Sequence, residues 1–307
     1  MATSALSAPF FHDEAEAYAK LEQVLWPHGP VCPRCGSLDR ITPVKGGRQG
    51  LYRCGPCKRQ FTVTVGTVFE SSHVPLNLWF QAVHLLCTSK KGFSAHQLHR
   101  TIGVTYKTAW FLSHRIRHAM SNPGGLMGSG GGIVEADETY FGNKYAGTGQ
   151  QRENKAGHGH KHTVFALVER GGSLRSFHLD GKGKTAKQIS DALAAAVSKD
   201  ANMMTDNARW YREIMKPYAS HEVVDHSKGE YVRGDVHTNT IEGAFSVFKR
   251  GMIGTYQHCG EQHLQRYLAE FDFRYNNRCA LEVDDAERAR RALRGIEGKR
   301  LTYKPID

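Results

Sequence analysis

Three short acidic segments carry the chemistry this sequence is equipped for: Glu135-Ala-Asp137-Glu138-Thr-Tyr140, Thr205-Asp206-Asn207 and Asn239-Thr-Ile-Glu242. Two carboxylates that bridge a pair of Mg2+ ions, with a third completing the shell, can activate a nucleophile and stabilise the leaving oxygen of an in-line phosphoryl transfer. Mg2+ suits such a set because it takes oxygen ligands and keeps water positions open. Lys249 follows Glu242 by seven residues, almost two helical turns, so a metal-binding carboxylate and a phosphate-binding cation share one helix face. Asn239, one turn earlier, shares that face. Any one of these acids alone reads more readily as a surface charge or a helix cap; their joint order carries the reading.

A second constellation is metallic. Cys32-Pro-Arg-Cys35 and Cys54-Gly-Pro-Cys57 leave 18 residues between the pairs, a four-cysteine zinc spacing. Two such knuckles close a tetrahedron around Zn2+ and leave no position for substrate, so the expected metal is structural. Four unligated buried cysteines fit that spacing less well, and seven cysteines, an odd number with no secretion signal before them, argue for thiols and metal over a disulfide framework. The surroundings are basic: Arg34, Arg40, Lys45, Arg48, Arg53, Lys58 and Arg59. We expect this module to lie on nucleic-acid phosphate.

The elements that position these groups follow from periodicity. Asp13 to Leu25 reads as a helix with Ala15, Tyr18, Leu21 and Leu25 on one side. Pro75 opens three helical candidates, Leu76 to Ser89, Ser94 to Thr101 and Thr105 to Met120, with Trp79, Phe80, Leu85, Leu86 and Cys87 as core. Across the last pair, Leu98 and Ile102 pack, Gly103 turns and Thr105 caps, a helix-turn-helix pattern with Tyr106, Lys107 and Thr108 in the first turn and Arg115 further on. Pro123-Gly124-Gly125 and Gly128 to Gly132 read as a flexible linker. Beyond it, Ile133 to Phe141 is a strand, Thr163 to Glu169 and Leu174 to Leu179 a hairpin, Thr185 to Ser198 a helix and Ala201 to Thr205 a short strand ending at Asp206. Asn239 to Met252 and Glu261 to Asn276 are helical.

In the first of these strands Glu135 and Asp137 face one side and Glu138 the other. The order of elements implies an α/β fold with a mixed sheet. The expected organisation is 1–30 helical, 31–70 zinc ribbon, 75–120 helix-turn-helix, 121–132 linker, 133–280 catalytic domain and 281–307 a basic tail, amphipathic from Ala286 to Arg300.

The charge balance agrees with a polyanionic partner: 41 Lys and Arg against 30 Asp and Glu give +11 before 17 histidines are counted. Met1 to Lys20 holds no basic cluster followed by an apolar run, and no later stretch reaches bilayer length, so a cytoplasmic protein is expected. His158, His160 and His162 alternate and could take a soft metal, but a solvated loop or strand edge touching phosphate is the reading preferred here.

Taken together, the ribbon, the run from Glu135 to Gly142, Met204-Thr-Asp206 and His237-Thr-Asn-Thr-Ile-Glu242-Gly-Ala-Phe-Ser-Val-Phe-Lys249-Arg250-Gly resemble the insertion-sequence transposases that join a zinc ribbon to a DDE domain. Arg266-Tyr-Leu-Ala-Glu270-Phe and Phe273-Arg-Tyr-Asn-Asn277-Arg extend the likeness over nearly the whole chain. The resemblance implies an RNase-H-like fold and Mg2+-dependent DNA cleavage and strand transfer, with Mn2+ able to substitute. It also implies terminal inverted repeats and target DNA as partners, and a homo-oligomer on the DNA of a bacterial nucleoid.

Carried over by motif, Asp137, Asp206 and Glu242 form the triad and Lys249 is its basic companion. Some members use asparagine in third place, which keeps Asn239 as the alternative to Glu242; the carboxylate binds Mg2+ better. DNA contacts are expected from Arg53, Lys58, Arg59, Tyr106, Lys107, Thr108 and Arg115. Two other readings compete: an inactive zinc-ribbon DNA-binding protein derived from a transposase, and a structure-selective nuclease without strand transfer.

Overall fold

The computed structural model describes residues 4–142, 162–179 and 185–302. The chain divides into two compact units, 1–122 with 277–307, and 123–276.

The first unit opens with α1 (Glu14–Leu25), capped by the Asp13 carboxylate on Glu16 N. Its buried stripe is Ala17, Leu21 and Val24, which corrects the expected Ala15, Tyr18, Leu21 and Leu25 face. The helix has two partners. Glu22 accepts the Tyr52 hydroxyl at 2.9 Å and Tyr18 closes over Gly50, so one flank meets the ribbon while the apolar stripe turns inward.

Three short antiparallel strands, β1 (Ile41–Pro43), β2 (Tyr52–Cys54) and β3 (Gln60–Phe61), form the ribbon in that order. Trp26 stands edge-on to Tyr52 and Phe61 over a small core of Cys32, Cys54 and Phe61. Next, α2 (Leu76–Thr88) buries Trp79, Phe80, Leu86 and Cys87. A short helix, α3 (Ala95–Ile102), has a full capping box between Ser94 and Gln97. It ends at Gly103, whose φ of 71° suits glycine, and Thr105 caps α4 (Tyr106–Met120) through Thr108 N. Leu98 and Ile102 are buried between the two, as the spacing predicts.

In the second unit a five-stranded sheet runs β6-β5-β4-β7-β8. Its strands are β4 (Ile133–Phe141), β5 (His162–Glu169), β6 (Leu174–Leu179), β7 (Asn202–Asp206) and β8 (Ser220–Val224). The first three pair antiparallel, while β7 joins β4 and β8 joins β7 in parallel. A separate two-stranded ribbon, β9 (Val232–Arg233) with β10 (Val236–His237), leads into the helices. Those are α5 (Ala186–Ala196), α6 (Tyr211–Ile214), α7 (Asn239–Gly251) and α8 (Glu261–Asn276).

Both faces of the sheet are covered. Val134, Ala136, Phe165, Leu167 and Met203 pack on Ile189 and Leu193 of α5; Val164, Ala166 and Val168 pack on Ile241, Phe245 and Phe248 of α7 and Leu264, Leu268 and Phe271 of α8. That strand order, with an antiparallel meander followed by parallel strands and helices on both faces, is the RNase-H-like fold.

The edge strand β6 is closed by side chains of α8. Asn276, Asp272 and Gln265 accept the N–H groups of Leu174, Ser176 and His178 at 2.6, 2.7 and 2.8 Å, and Asn276 and Gln265 donate back to Leu174 O and Ser176 O. An open edge is thereby satisfied within the chain.

The glycine-rich stretch is not a free linker from Met127 onward. Met127 is 1% exposed, its N–H donates to Ala196 O, and its carbonyl accepts from Ser198 N. At Gly128, with φ +70°, a Cβ would collide with Ala201 Cβ and lie 2.9 Å from Val134 Cγ2. Glycine serves close approach here.

The chain then returns to the first unit, where α9 (Asp285–Arg294) packs on α2 and buries Ala292, Leu293 and Arg288. The segment read as a basic tail is thus a packed helix. Arg288 donates to the carbonyls of Asn277 and Cys87.

Candidate active site

The sheet register brings two of the acids together. Glu135 pairs with Met204 on the adjacent parallel strand, so two residues further on Asp137 and Asp206 stand at the same level, on strands about 4.8 Å apart. Asp137 Oδ1 accepts Glu138 N at 2.7 Å, and Asp206 Oδ1 accepts Ala208 N at 3.1 Å. Burial first, with the charges of Asp206, Glu138 and Glu242 added and the hydrogen bond from Glu138 N opposing them, pushes the Asp137 carboxyl up to about 7. The charges of Asp206 and Glu242 are thus both felt at Asp137. Asp137, Asp206 and Glu242 offer only oxygen donors, the type a hard divalent cation takes.

Glu242 stands in the first turn of α7. Its Oε1 accepts the Thr238 hydroxyl at 3.2 Å and lies 3.6 Å from His226 Nε2. Asn239 is exposed at the start of the same helix, with its backbone N–H on His237 Nδ1. Lys249 is also exposed, in the last turn of α7 and about 10 Å along the axis from Glu242. Among the described residues no ion pair joins it to the acids.

One buried acid beside the site stands outside the expected set. Glu135 is fully buried, and its Oε2 accepts Thr240 N and Ile241 N at 2.9 and 3.0 Å; its Oε1 accepts the Thr240 hydroxyl at 2.8 Å and Arg170 Nε at 2.7 Å. No side chain of α7's own N-cap does this work, since Thr238 makes no capping bond. Arg170 goes on to donate to Asp235 O and His237 O, tying the β5–β6 turn to the entry of α7. The signal in the sequence was a carboxylate between Val134 and Ala136, two apolar residues of a strand. On the opposite face of β4, burial together with the Glu138 and Asp137 charges holds the Tyr211 phenol well above its usual pKa.

The four cysteines converge as expected. Their sulfurs lie within 4.8 Å of one another, with Cys32 to Cys57 and Cys35 to Cys54 both at 3.7 Å. A zinc–sulfur bond of about 2.3 Å sets tetrahedral sulfur–sulfur edges of about 3.8 Å, so the sulfurs fit structural Zn2+. The two knuckles repeat one backbone pattern. Gly36 N donates to Cys32 O and Cys32 N to Ser37 O; Lys58 N donates to Cys54 O and Cys54 N to Arg59 O. Gly36 and Lys58 occupy the equivalent left-handed position, at φ 69° and 62°.

Arg53, Lys58 and Arg59 are exposed around the ribbon, as are Tyr106 and Lys107 at the start of α4, with Thr108 half-buried. Arg115 is a correction. It is 4% exposed, its guanidinium donates to Glu70 O at 2.7 Å and lies over the rings of Trp79 and Phe111, and burial draws its pKa down to about 10. Arg115 holds the helices together and is not free for DNA. His162 is likewise buried on β5, not solvated, whereas His158 and His160 lie outside the described residues. None of the described helices is long and apolar enough to cross a membrane.

Residues 130–276 match the ISXO2-like transposase domain and residues 12–60 the transposase zinc-ribbon domain. An uncharacterized protein in transposable element ISH50 of Halobacterium salinarum is 32% identical over 283 residues, covering 86% of this chain and 91% of that protein. The crystal structure of the Mos1 strand transfer complex aligns with 66% of this chain and 77% of its own at 14% identity and a TM-score of 0.25. By its two matched domains and a relative 32% identical over 86% of its length, the chain belongs to the ISXO2-like insertion-sequence transposases.

Proposed function

We propose that this transposase cleaves DNA at the terminal inverted repeats of its element and joins the freed 3′ ends to target DNA, with Asp137, Asp206 and Glu242 holding Mg2+. The observation that carries the reading is the levelling of Asp137 and Asp206 on adjacent parallel strands, with the Glu242 charge felt at Asp137. When bound, Mg2+ (or Mn2+) supplies Lewis-acid stabilisation of the phosphoryl oxygens and a more acidic water. The chain's own residues do the rest. Glu135 and Arg170 hold the N-terminus of α7 so that Glu242 presents to the two strand carboxylates, and Thr238 restrains its Oε1. Hydrolysis breaks the phosphorus–oxygen bond and leaves a 3′ hydroxyl; that hydroxyl then attacks a target phosphodiester.

DNA is held, in this reading, by the basic zinc ribbon through Arg53, Lys58 and Arg59, and by the first turn of α4 through Tyr106, Lys107 and Thr108. The exposed start of α4, after a three-residue turn from α3, supports a helix-turn-helix role. Glu242 is preferred over Asn239 as third ligand because a carboxylate binds Mg2+ better than a neutral amide.

The test is Mg2+-dependent nicking and strand transfer on supercoiled donor DNA carrying the element's ends. Wild type and Asn239→Ala should cut, while Asp206→Ala and Glu242→Ala should bind the ends without cutting. An active Glu242→Ala with a dead Asn239→Ala would move the third ligand to Asn239. A folded wild type that binds the ends and never cuts them would leave a DNA-binding protein only.

A further inference from the structure

A second group of metal-ligating side chains lies away from the carboxylate cluster, at the far end of β5. His162 of β5, His178 of β6 and Glu261 of α8 bring one donor atom each to within 4.8 Å of one another. Glu261 Oε1 is 3.6 Å from His162 Nδ1 and 3.8 Å from His178 Nε2. The two imidazole rings stand nearly perpendicular, with centroids 5.7 Å apart. Their side chains are only 8% and 6% exposed, while the carboxylate is 44% exposed.

We propose that these three residues form a transition-metal site that takes Zn2+ and is independent of the Mg2+ carboxylates. The placement follows from the fold. Val164 pairs with His178 across β5 and β6, so His162, two residues earlier and on the same face, is the diagonal neighbour of His178 on the side covered by α8. Glu261 begins α8 one turn before Gln265, which already accepts His178 N. The ladder of α8 side chains along the β6 edge thus ends in a carboxylate aimed at two buried imidazoles.

An independent observation points to a ligand. His162 Nδ1 is buried, faces the other two donors and makes no hydrogen bond. A buried ring nitrogen left so is costly and rare in folded proteins. A cation bound between the three groups satisfies it.

The donor chemistry selects the cation. Two imidazole nitrogens and one carboxylate oxygen suit Zn2+ and its neighbours, whereas Mg2+ prefers oxygen alone. Zinc bonds of about 2.0–2.1 Å set tetrahedral donor separations of about 3.4 Å, a few tenths of an ångström inside the 3.6 and 3.8 Å found here. Three protein ligands leave at least one position for water or a ligand atom. The site is distinct from the carboxylates: Asp137 pairs with Ala166, and His162 lies four residues away, about 13 Å along the strand. A metal here clamps the first turn of α8 to the edge of the sheet.

The test uses the full chain, equilibrated with Zn2+ in excess Mg2+, desalted and assayed for zinc by mass spectrometry. The four-cysteine zinc serves as internal reference. Wild type should hold a second zinc per chain; His178→Ala and Glu261→Gln should lose it and keep the first, and Asp206→Asn should keep both. A single zinc in wild type overturns the proposal, as does a second zinc that persists in His178→Ala or vanishes in Asp206→Asn. Cobalt replacement in wild type guards against misfolded variants. A first equivalent should bring intense sulfur-to-cobalt absorption, and a second should add only weak visible bands. Saturation after one equivalent, or a second with sulfur absorption, refutes the site.

Discussion

Glu135 Oε2 accepts the backbone N–H of Ile241 at 3.0 Å, so a buried strand carboxylate, two residues from Asp137, caps the helix that carries Glu242. One short stretch of β4 therefore supplies both a candidate metal ligand and the anchor of the helix that carries Glu242. Glu135→Gln keeps the shape but leaves the Arg170 guanidinium without its ionic partner. Breaking a buried pair costs about 3–5 kcal/mol, and the three other acceptors of Arg170, at Asp235, His237 Nδ1 and His237 O, place this variant toward the lower end. Denaturant unfolding should show that loss, and DNA cleavage should fall more than end binding. Unchanged stability and cleavage would sink the anchoring role.

Lys58 occupies the left-handed position that Gly36 fills in the first knuckle, at a cost of roughly 1 kcal/mol for a residue with a Cβ. Lys58→Gly should accordingly fold and bind zinc as well as wild type. If the side chain meets phosphate, the same change weakens DNA binding at low salt and reduces the slope of log affinity against log salt by about one. Arg115→Ala should do the reverse, lowering stability because the buried guanidinium bridges Glu70 O, Trp79 and Phe111. Equal effects of the two variants on folding would contradict this division.

Long elements could be read from the sequence and short ones could not. The helices from Leu76 to Met120 and the strand from Ile133 to Phe141 fall within a residue or two of expectation, since many periodic positions vote together. β8, β9, β10 and the ribbon strands have two to five residues each and are set by partners distant in sequence. The acids of the site were legible as types, but the role of Glu135 depends on an N–H at Ile241, 106 residues away. Arg115 and His162 differ from expectation for a related reason: a polar side chain reads as solvated in sequence, and only tertiary packing reveals the carbonyl or the cluster of donors that receives it.

Glu287 offers a test of charge on α9. Hydrogen bonds from Arg290, then Arg291, hold its carboxyl down at about 2, below the ordinary 4.5. A depressed carboxylate contributes stability above its unfolded pKa and loses it as pH falls through the folded value, here from 4.5 to about 2. The groups are partly solvated, so the contribution is at most about 1 kcal/mol. Glu287→Gln should lower stability by up to that amount at neutral pH and by much less near pH 2, read from urea unfolding at both. A difference that persists in acid would assign the loss to packing.

Gly128 tests whether the glycine-rich stretch is structure or spacer. Two separate penalties face Gly128→Ala: a φ of +70°, worth roughly 1–2 kcal/mol for a residue with a Cβ, and overlap of that Cβ with Ala201. Overpacking adds about 1–3 kcal/mol. Ala201→Gly removes the atom that is struck and leaves the backbone strain, so the double variant should recover the steric part alone. The cycle should therefore be non-additive by about the overpacking figure, as expected for residues in contact. Gly125→Ala is the control, since a Cβ there meets nothing and its backbone carries no positive φ. If Gly128→Ala unfolds at the wild-type midpoint, the segment is a spacer after all; a loss confined to Gly128 and relieved by Ala201→Gly fixes it as the close-packed entry to the RNase-H-like sheet.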